Sequence, residues 1–130
     1  MNERPRVTYL TLDDLLALAE DLGVSAVRDL GLLDAAAHRP TSVLWGREAY
    51  PSLHHKAAVL LESVTRNHPL VDGNKRLGWM AVFVFYGVND HDLAAPDDAA
   101  YDLVIAVATG QMSPEESAAL LAGWLQPRRG

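Results

Sequence analysis

From Asn74 to Tyr86 the chain is apolar on nearly every side of a helical projection once its first turn is past, and no other stretch constrains the fold so strongly. A helix with no face for water must be enclosed by other elements. The apolar run inside it, Leu77 to Val88, holds twelve residues. That is short of the roughly twenty needed to span a bilayer, and the run sits mid-chain rather than behind a basic N-terminus. It therefore predicts a central buried helix, with Gly87 offering a C-terminal stop.

Elements that could enclose such a helix are visible on both sides. Ser52 can cap a helix in which Leu53, Ala57, Leu60, Leu61 and Val64 recur at i, i+4, i+7, i+8 and i+11. Thr11 followed by Asp14 imitates a capping box, and Leu15, Leu18, Ala19 and Leu22 then form one stripe ending at Gly23. Leu32 to His38 reads as a shorter helix stopped by Pro40, because the residue before a proline is pushed out of the α region. Asp97 after Pro96 can start a helix through Ala108 that closes near Gly110. Ser113-Pro114-Glu115-Glu116 combines an N-cap, a first-turn proline and a capping-box Glu for a last helix running to about Leu125. Alternating strand patterns are scarce, which leaves one small hairpin between positions 40 and 51. The expected fold is all-α, a compact bundle of about six helices.

With 130 residues, 49% of them hydrophobic, the chain suits a single domain over 1–130 with a core of its own. The formal charge of -6 argues against a broad basic surface for nucleic acid, which binds by neutralising phosphates. Cysteine is absent, so disulfides, thiolate nucleophiles and zinc–thiolate sites are excluded, and the composition suits a reducing cytosol. Neither a membrane span nor a targeting segment is expected.

The chemistry concentrates in nine residues, His68-Pro69-Leu70-Val71-Asp72-Gly73-Asn74-Lys75-Arg76. The helix from Leu53 should end near Asn67 or His68 and the next begin near Gly73 or Asn74, so the segment forms a short loop and a helix start. First-turn N–H groups lack internal partners and point outward with the positive end of the helix dipole. Gly73, Asn74 and Lys75 can thus present an anion-binding nest, with Lys75 and Arg76 adding charged donors beside it. Asp72 is a hard oxygen ligand able to hold Mg²⁺ against phosphate oxygens. His68 can serve as a general base, its ordinary pKa lying near physiological pH. Each residue also has a plainer reading: His-Pro as a helix-end turn, Asp-Gly as a turn dipeptide, Asn74 as a cap, Lys75-Arg76 as a solvated face. Only the ordered combination points to phosphate chemistry.

That combination closely resembles the HxFx(D/E)GNxR signature of Fic-domain proteins, most closely in the Doc (death-on-curing) toxin branch. The resemblance extends to Gly31-Leu32-Leu33-Asp34-Ala35-Ala36, to Tyr50-Pro51-Ser52-Leu53 with Lys56-Ala57, and to Asn67-His68-Pro69, covering much of positions 30 to 90. It implies a helical fold whose motif loop binds ATP phosphates. It further implies His68 as base, Asp72 as Mg²⁺ ligand, Gly73 and Asn74 as anion-hole contacts, and Lys75 and Arg76 as phosphate contacts.

The departures from the signature are informative. Family members that transfer AMP usually carry Gly at the position of Lys75 and a second Arg at that of Trp79. A lysine beside the nest crowds the inner-phosphate site, and a tryptophan cannot make arginine's bidentate clamp. Doc-type toxins share the lysine and are understood to bind ATP in a reversed sense. The resemblance therefore implies a kinase that passes the γ-phosphate to a Ser or Thr of the translation elongation factor Tu and is restrained by an antitoxin whose C-terminal segment docks in a groove. An AMP transferase and a catalytically silent Fic-fold binding module are the alternatives. Leu70 stands where the family usually has Phe, and Leu77-Gly78 where Thr-Ala is commoner; both are expected to be packing positions. Trp45, Tyr50 and Trp124 are candidates for docking, though aromatics in small helical domains are more often core. His54-His55 lacks a carboxylate at i+4 and reads as helix surface rather than a metal pair.

Overall fold

The protein, seen here in a computed structural model, is described over residues 6–127; the ends of the domain expected over 1–130, at 1–5 and 128–130, lie outside the described residues. Six α-helices follow in order: α1 (Leu12–Asp21), α2 (Leu30–His38), α3 (Leu53–Asn67), α4 (Asn74–Val88), α5 (Asp97–Ala108) and α6 (Pro114–Gly123). Four short strands complete the order: β1 (Val43–Leu44) with β2 (Arg47–Glu48) ahead of α3, β3 (His91–Leu93) after α4, and β4 (Leu125–Pro127) after α6. The fold is mainly helical, as expected.

Local chemistry sets most helix starts. The Thr11 hydroxyl accepts from Asp14 N at 3.2 Å while Asp14 Oδ2 accepts from Thr11 N at 2.8 Å, so the capping box forms with Asp in place of Glu. Ser113 and Glu116 make the same exchange at α6, and Ser52 caps α3 through His55 N at 3.0 Å. Each such cap contributes about 1 kcal/mol. The start of α2 differs from expectation by two residues, because the Asp29 side chain accepts from Leu32 N at 3.1 Å and thereby opens the helix at Leu30.

The most enclosed helix is α3 rather than α4. It buries Lys56 through Leu61 and Ser63 through Thr65, and packs against α2, α4, α5 and α6. α4 buries Leu77, Gly78, Ala81, Val82, Phe85 and Tyr86 but leaves Phe83 and Val88 exposed, so it is a flank of the bundle and not its axis. Gly78 is what brings the two helices so close. A Cβ there would lie 2.7 Å from Thr65 Cγ2 and 3.1 Å from Leu61 Cδ1. α4 also runs through Gly87 to Val88 and is capped at Asn89, whose side chain bonds Phe85 O and Thr8 O at 2.8 Å each.

The hairpin expected between 40 and 51 is present, pairing Val43 with Glu48 and Leu44 with Arg47. Trp45 and Gly46 occupy its turn with φ of 49° and 76°, the two positive values a tight hairpin turn asks for. The Trp45 side chain is 92% exposed, the opposite of a core aromatic, while Trp124 packs against the core. Lys56, only 1% exposed, ties the hairpin to α3: its ammonium donates to Glu48 Oε1 at 2.9 Å and to Tyr50 O, and lies 5.7 Å over the Tyr9 ring. Arg39 adds a second tie through Glu62 Oε1 at 2.7 Å, Ser63 Oγ at 3.0 Å and the Tyr50 hydroxyl at 3.3 Å.

A second two-stranded sheet was not expected. β3 pairs antiparallel with β4, His91 opposite Pro127 and Leu93 opposite Leu125, so α6 ends at Gly123 and the chain beyond it straightens into a strand. Three-residue strands are too short to show an alternating pattern.

Candidate functional site

α3 ends at Asn67 because His68 turns into the left-handed region, with φ 51° and ψ 57°, and Pro69 follows. That conformation costs a residue with a Cβ of order 1–2 kcal/mol, so the surroundings must hold it. They do so from the segment between α1 and α2. Arg28 Nη2 donates to Asn67 O at 2.8 Å, Arg28 Nε to His68 O at 2.6 Å, and the Arg28 and Asp29 backbone N–H groups to Pro69 O at 2.8 and 2.9 Å. Val27 bridges Leu70 in antiparallel fashion, and Val71 N donates to Ala26 O at 2.9 Å. The loop is thus paired like a strand end against residues 26–29.

Its interior is equally fixed. Leu70 is 1% exposed and belongs to the core, so the smaller side chain keeps the anchoring place expected of Phe. Asn74 Oδ1 accepts from Leu70 N at 2.9 Å and Asn74 Nδ2 donates to Leu70 O at 3.0 Å. The Asn74 amide is therefore turned into the loop and buried, and an anion at the start of α4 would meet its backbone N–H rather than its side chain. Gly73, the N-cap, has φ 85°, and a Cβ on it would stand 2.4 Å from Val24 Cγ1 and 2.6 Å from Val24 Cβ. Both its backbone and its lack of a side chain are required.

The start of α4 is unlike those of α1, α2, α3 and α6. No side chain caps it; like α2 and α3 it has no acidic residue in its first turn, where Lys75 and Arg76 stand, both exposed. Two cations at the positive end of a helix dipole are unfavourable unless an anion joins them. His68 and Asp72 are exposed at the same end of the α3–α4 pair. Next to the two cations lies a hollow of about 460 Å³, mostly apolar, walled by Lys75, Arg76 and Trp79 of α4 and by Asp97, Tyr101 and Val104 of α5. Its volume lies within the usual range for small-molecule sites.

No group of three or more His, Cys, Asp or Glu side chains able to cage a metal occurs among the described residues. The remaining option for Mg²⁺ is one carboxylate shared with phosphate oxygens, which suits Asp72 beside the open first turn of α4. His54 and His55, expected on the helix surface, are both half-buried and each meets a side chain from another element. His54 Nδ1 lies 3.0 Å from the Tyr86 hydroxyl, and burial followed by the charge of His91 lowers its pKa; burial raises that of Tyr86. His55 Nε2 lies 3.5 Å from Glu115, with the ring edge-on to Tyr50.

The model of the Fic/DOC family matches residues 9–86, from the first helix through nearly all of α4. The chain belongs to the Fic/DOC family. It is also similar to a protein named Toxin Doc from Mycolicibacterium smegmatis (strain ATCC 700084 / mc(2)155), 47% identical over 120 residues, which cover 89% of this chain and 92% of that protein. The features of this Fic/DOC chain that its motif does not carry are Arg28, Val24 and Lys56. Arg28 carries one faint sequence signal, a cation placed directly before the helix-capping Asp29 with no acid at i+4 to pair with.

Proposed function

We propose that this Fic/DOC protein is a Doc-like toxin: an ATP-dependent phosphotransferase that modifies a Ser or Thr hydroxyl of a translation factor, elongation factor Tu by resemblance. The observation that carries the proposal is the uncapped start of α4, where open N–H groups and two exposed cations await an anion. In this reading the γ-phosphate of ATP sits on the Gly73–Arg76 turn with Lys75 and Arg76 against its oxygens. The nucleoside then has the apolar hollow beside Trp79 and Tyr101 within reach. The target hydroxyl gives its proton to His68 as its oxygen bonds to phosphorus, and the bond from phosphorus to the β,γ-bridging oxygen breaks to release ADP. Catalysis of this kind is mostly positioning and charge stabilisation, which a loop hydrogen-bonded on both sides can supply. Asp72 would hold Mg²⁺, which when bound neutralises phosphate charge.

The similarity to Toxin Doc also supports a cognate antitoxin as partner; a translation factor as target would put the action in the cytoplasm. No helix among the described residues is long and apolar enough to cross a membrane.

The test incubates the purified chain and His68→Ala with elongation factor Tu and ATP labelled at the γ-phosphate or in the adenosine. Transfer from the γ position alone, lost in His68→Ala while ATP binding persists, is the expected result. Adenosine transfer would make the protein an AMP transferase, and no transfer to any translation factor would make it a binding module.

A further inference from the structure

Arg28 occupies three successive carbonyls: Asn67 O and His68 O through its guanidinium, and Pro69 O through its backbone N–H. These are the carbonyls that flank the turn at which α3 stops and His68 enters the left-handed region. Last-turn carbonyls have no helical partner and are met by water, by a glycine-based cap or by a side chain. Here there is no glycine, and a planar guanidinium with its donors in fixed directions takes their place. A cation at that helix end is also favoured by the dipole.

We propose that Arg28 is a positioning residue for His68. By claiming the Asn67 and His68 carbonyls at once, it fixes the peptide planes on either side of the His68 Cα, and with them the direction in which the imidazole leaves the backbone. The neighbouring contacts cannot replace it. Asn74 brackets Leu70, Ala26 holds Val71, and Asp29 N reaches only Pro69 O, so none of them touches the carbonyls of residues 67 and 68. Arg28 is exposed and lies outside the core, which sets it apart from residues whose loss unfolds the protein.

The inference rests on His68 being the base of the transfer, and its test separates the two questions. Arg28→Ala and Arg28→Lys are compared with the parent by the kcat and KM of γ-phosphate transfer, by ATP binding, and by NMR of the His68 ring and backbone in the free protein. Misplacing a catalytic group by about 1 Å costs up to ~100-fold, so kcat in Arg28→Ala should fall about 10- to 100-fold, with KM and ATP affinity little changed. The His68 resonances should broaden or shift. Arg28→Lys, whose single ammonium cannot span both carbonyls in the same fixed geometry, should recover part of the loss, and added guanidinium should partly restore Arg28→Ala. If the parent transfers no phosphate, the functional reading fails, while the NMR comparison still decides whether Arg28 orders His68. Unchanged His68 resonances in Arg28→Ala overturn the proposal. So does a rise in KM at constant kcat, which would make Arg28 a substrate contact. Should Arg28→Ala prove unstable, Arg28→Lys and Arg28→Gln carry the same readouts.

Discussion

Replacing Gly73 by alanine combines two penalties that the structure keeps separable. The first is conformational: at φ 85° an alanine is held in the left-handed region, at a cost of order 1–2 kcal/mol. The second is steric. The new Cβ would meet Val24 Cγ1 at 2.4 Å, Val24 Cβ at 2.6 Å and Val24 Cγ2 at 3.1 Å. Because one of these atoms is attached directly to the backbone, rotation of the Val24 side chain cannot clear the space, and overpacking of this kind costs about 1–3 kcal/mol. Gly73→Ala should therefore lose about 2–5 kcal/mol, a large part of the stability of a small domain, and lower Tm by roughly 10 °C. Urea and thermal unfolding of four proteins decide the matter: the parent, Gly73→Ala, Val24→Ala and the double variant. Val24→Ala removes the 2.4 and 3.1 Å contacts but keeps the Cβ at 2.6 Å, so Gly73→Ala should cost less in that background without becoming neutral. A coupling of about 1 kcal/mol is expected. A loss below ~0.5 kcal/mol for Gly73→Ala, or equal losses in both backgrounds, would refute the account of Gly73 as both a backbone and a space requirement.

Three further outcomes follow from the packing around the site. Asn74→Ala leaves the buried N–H and C=O of Leu70 without partners, so urea unfolding should show a loss of about 2–4 kcal/mol, whereas Lys75→Ala next to it should be neutral or slightly stabilising without ligand. Lys56→Met keeps the side chain's length but not its ammonium, so hydrogen exchange at Ala49 should speed up, with exchange along α4 unaffected. Because the folded pKa of His54 is depressed, the unfolded chain binds more protons below pH 7; stability should be full above the ordinary histidine pKa of about 6.5 and fall as pH drops through it. His54→Gln should flatten that slope in unfolding titrations between pH 7 and 5, and an unchanged slope would assign the effect elsewhere.

The helices were legible in the sequence where their signals are local. Thr11, Ser52 and Ser113 act through residues three positions away, and in the stripe Leu53, Ala57, Leu60, Leu61 and Val64 all but the first, half-buried residue are buried as the spacing implies. The motif loop, too, was legible in extent, since Pro69 and Gly73 punctuate it. What escaped reading depends on pairs distant along the chain. Arg28 meets His68 forty residues later, β3 meets β4 across two helices, and the glycine at 78 says nothing of Thr65 until α3 and α4 are packed. The sequence leaves Trp45 open between docking and core, because an aromatic residue gives no sign of being held out at the tip of a tight turn.

The pairing of residues 26–29 with the loop has a consequence for when the site comes into being. The loop's hydrogen bonds reach back to a segment made forty residues earlier on the ribosome, while α4, whose uncapped first turn closes the loop, is completed only at Val88. A chain that has formed α1 to α3 alone therefore has the brace and the histidine but not the open first turn of α4. Local helix formation takes microseconds and translation tens of milliseconds or more per residue, so the order of synthesis governs the order of assembly. In the function proposed above, the competent site would arise only after most of the protein's own chain had been made.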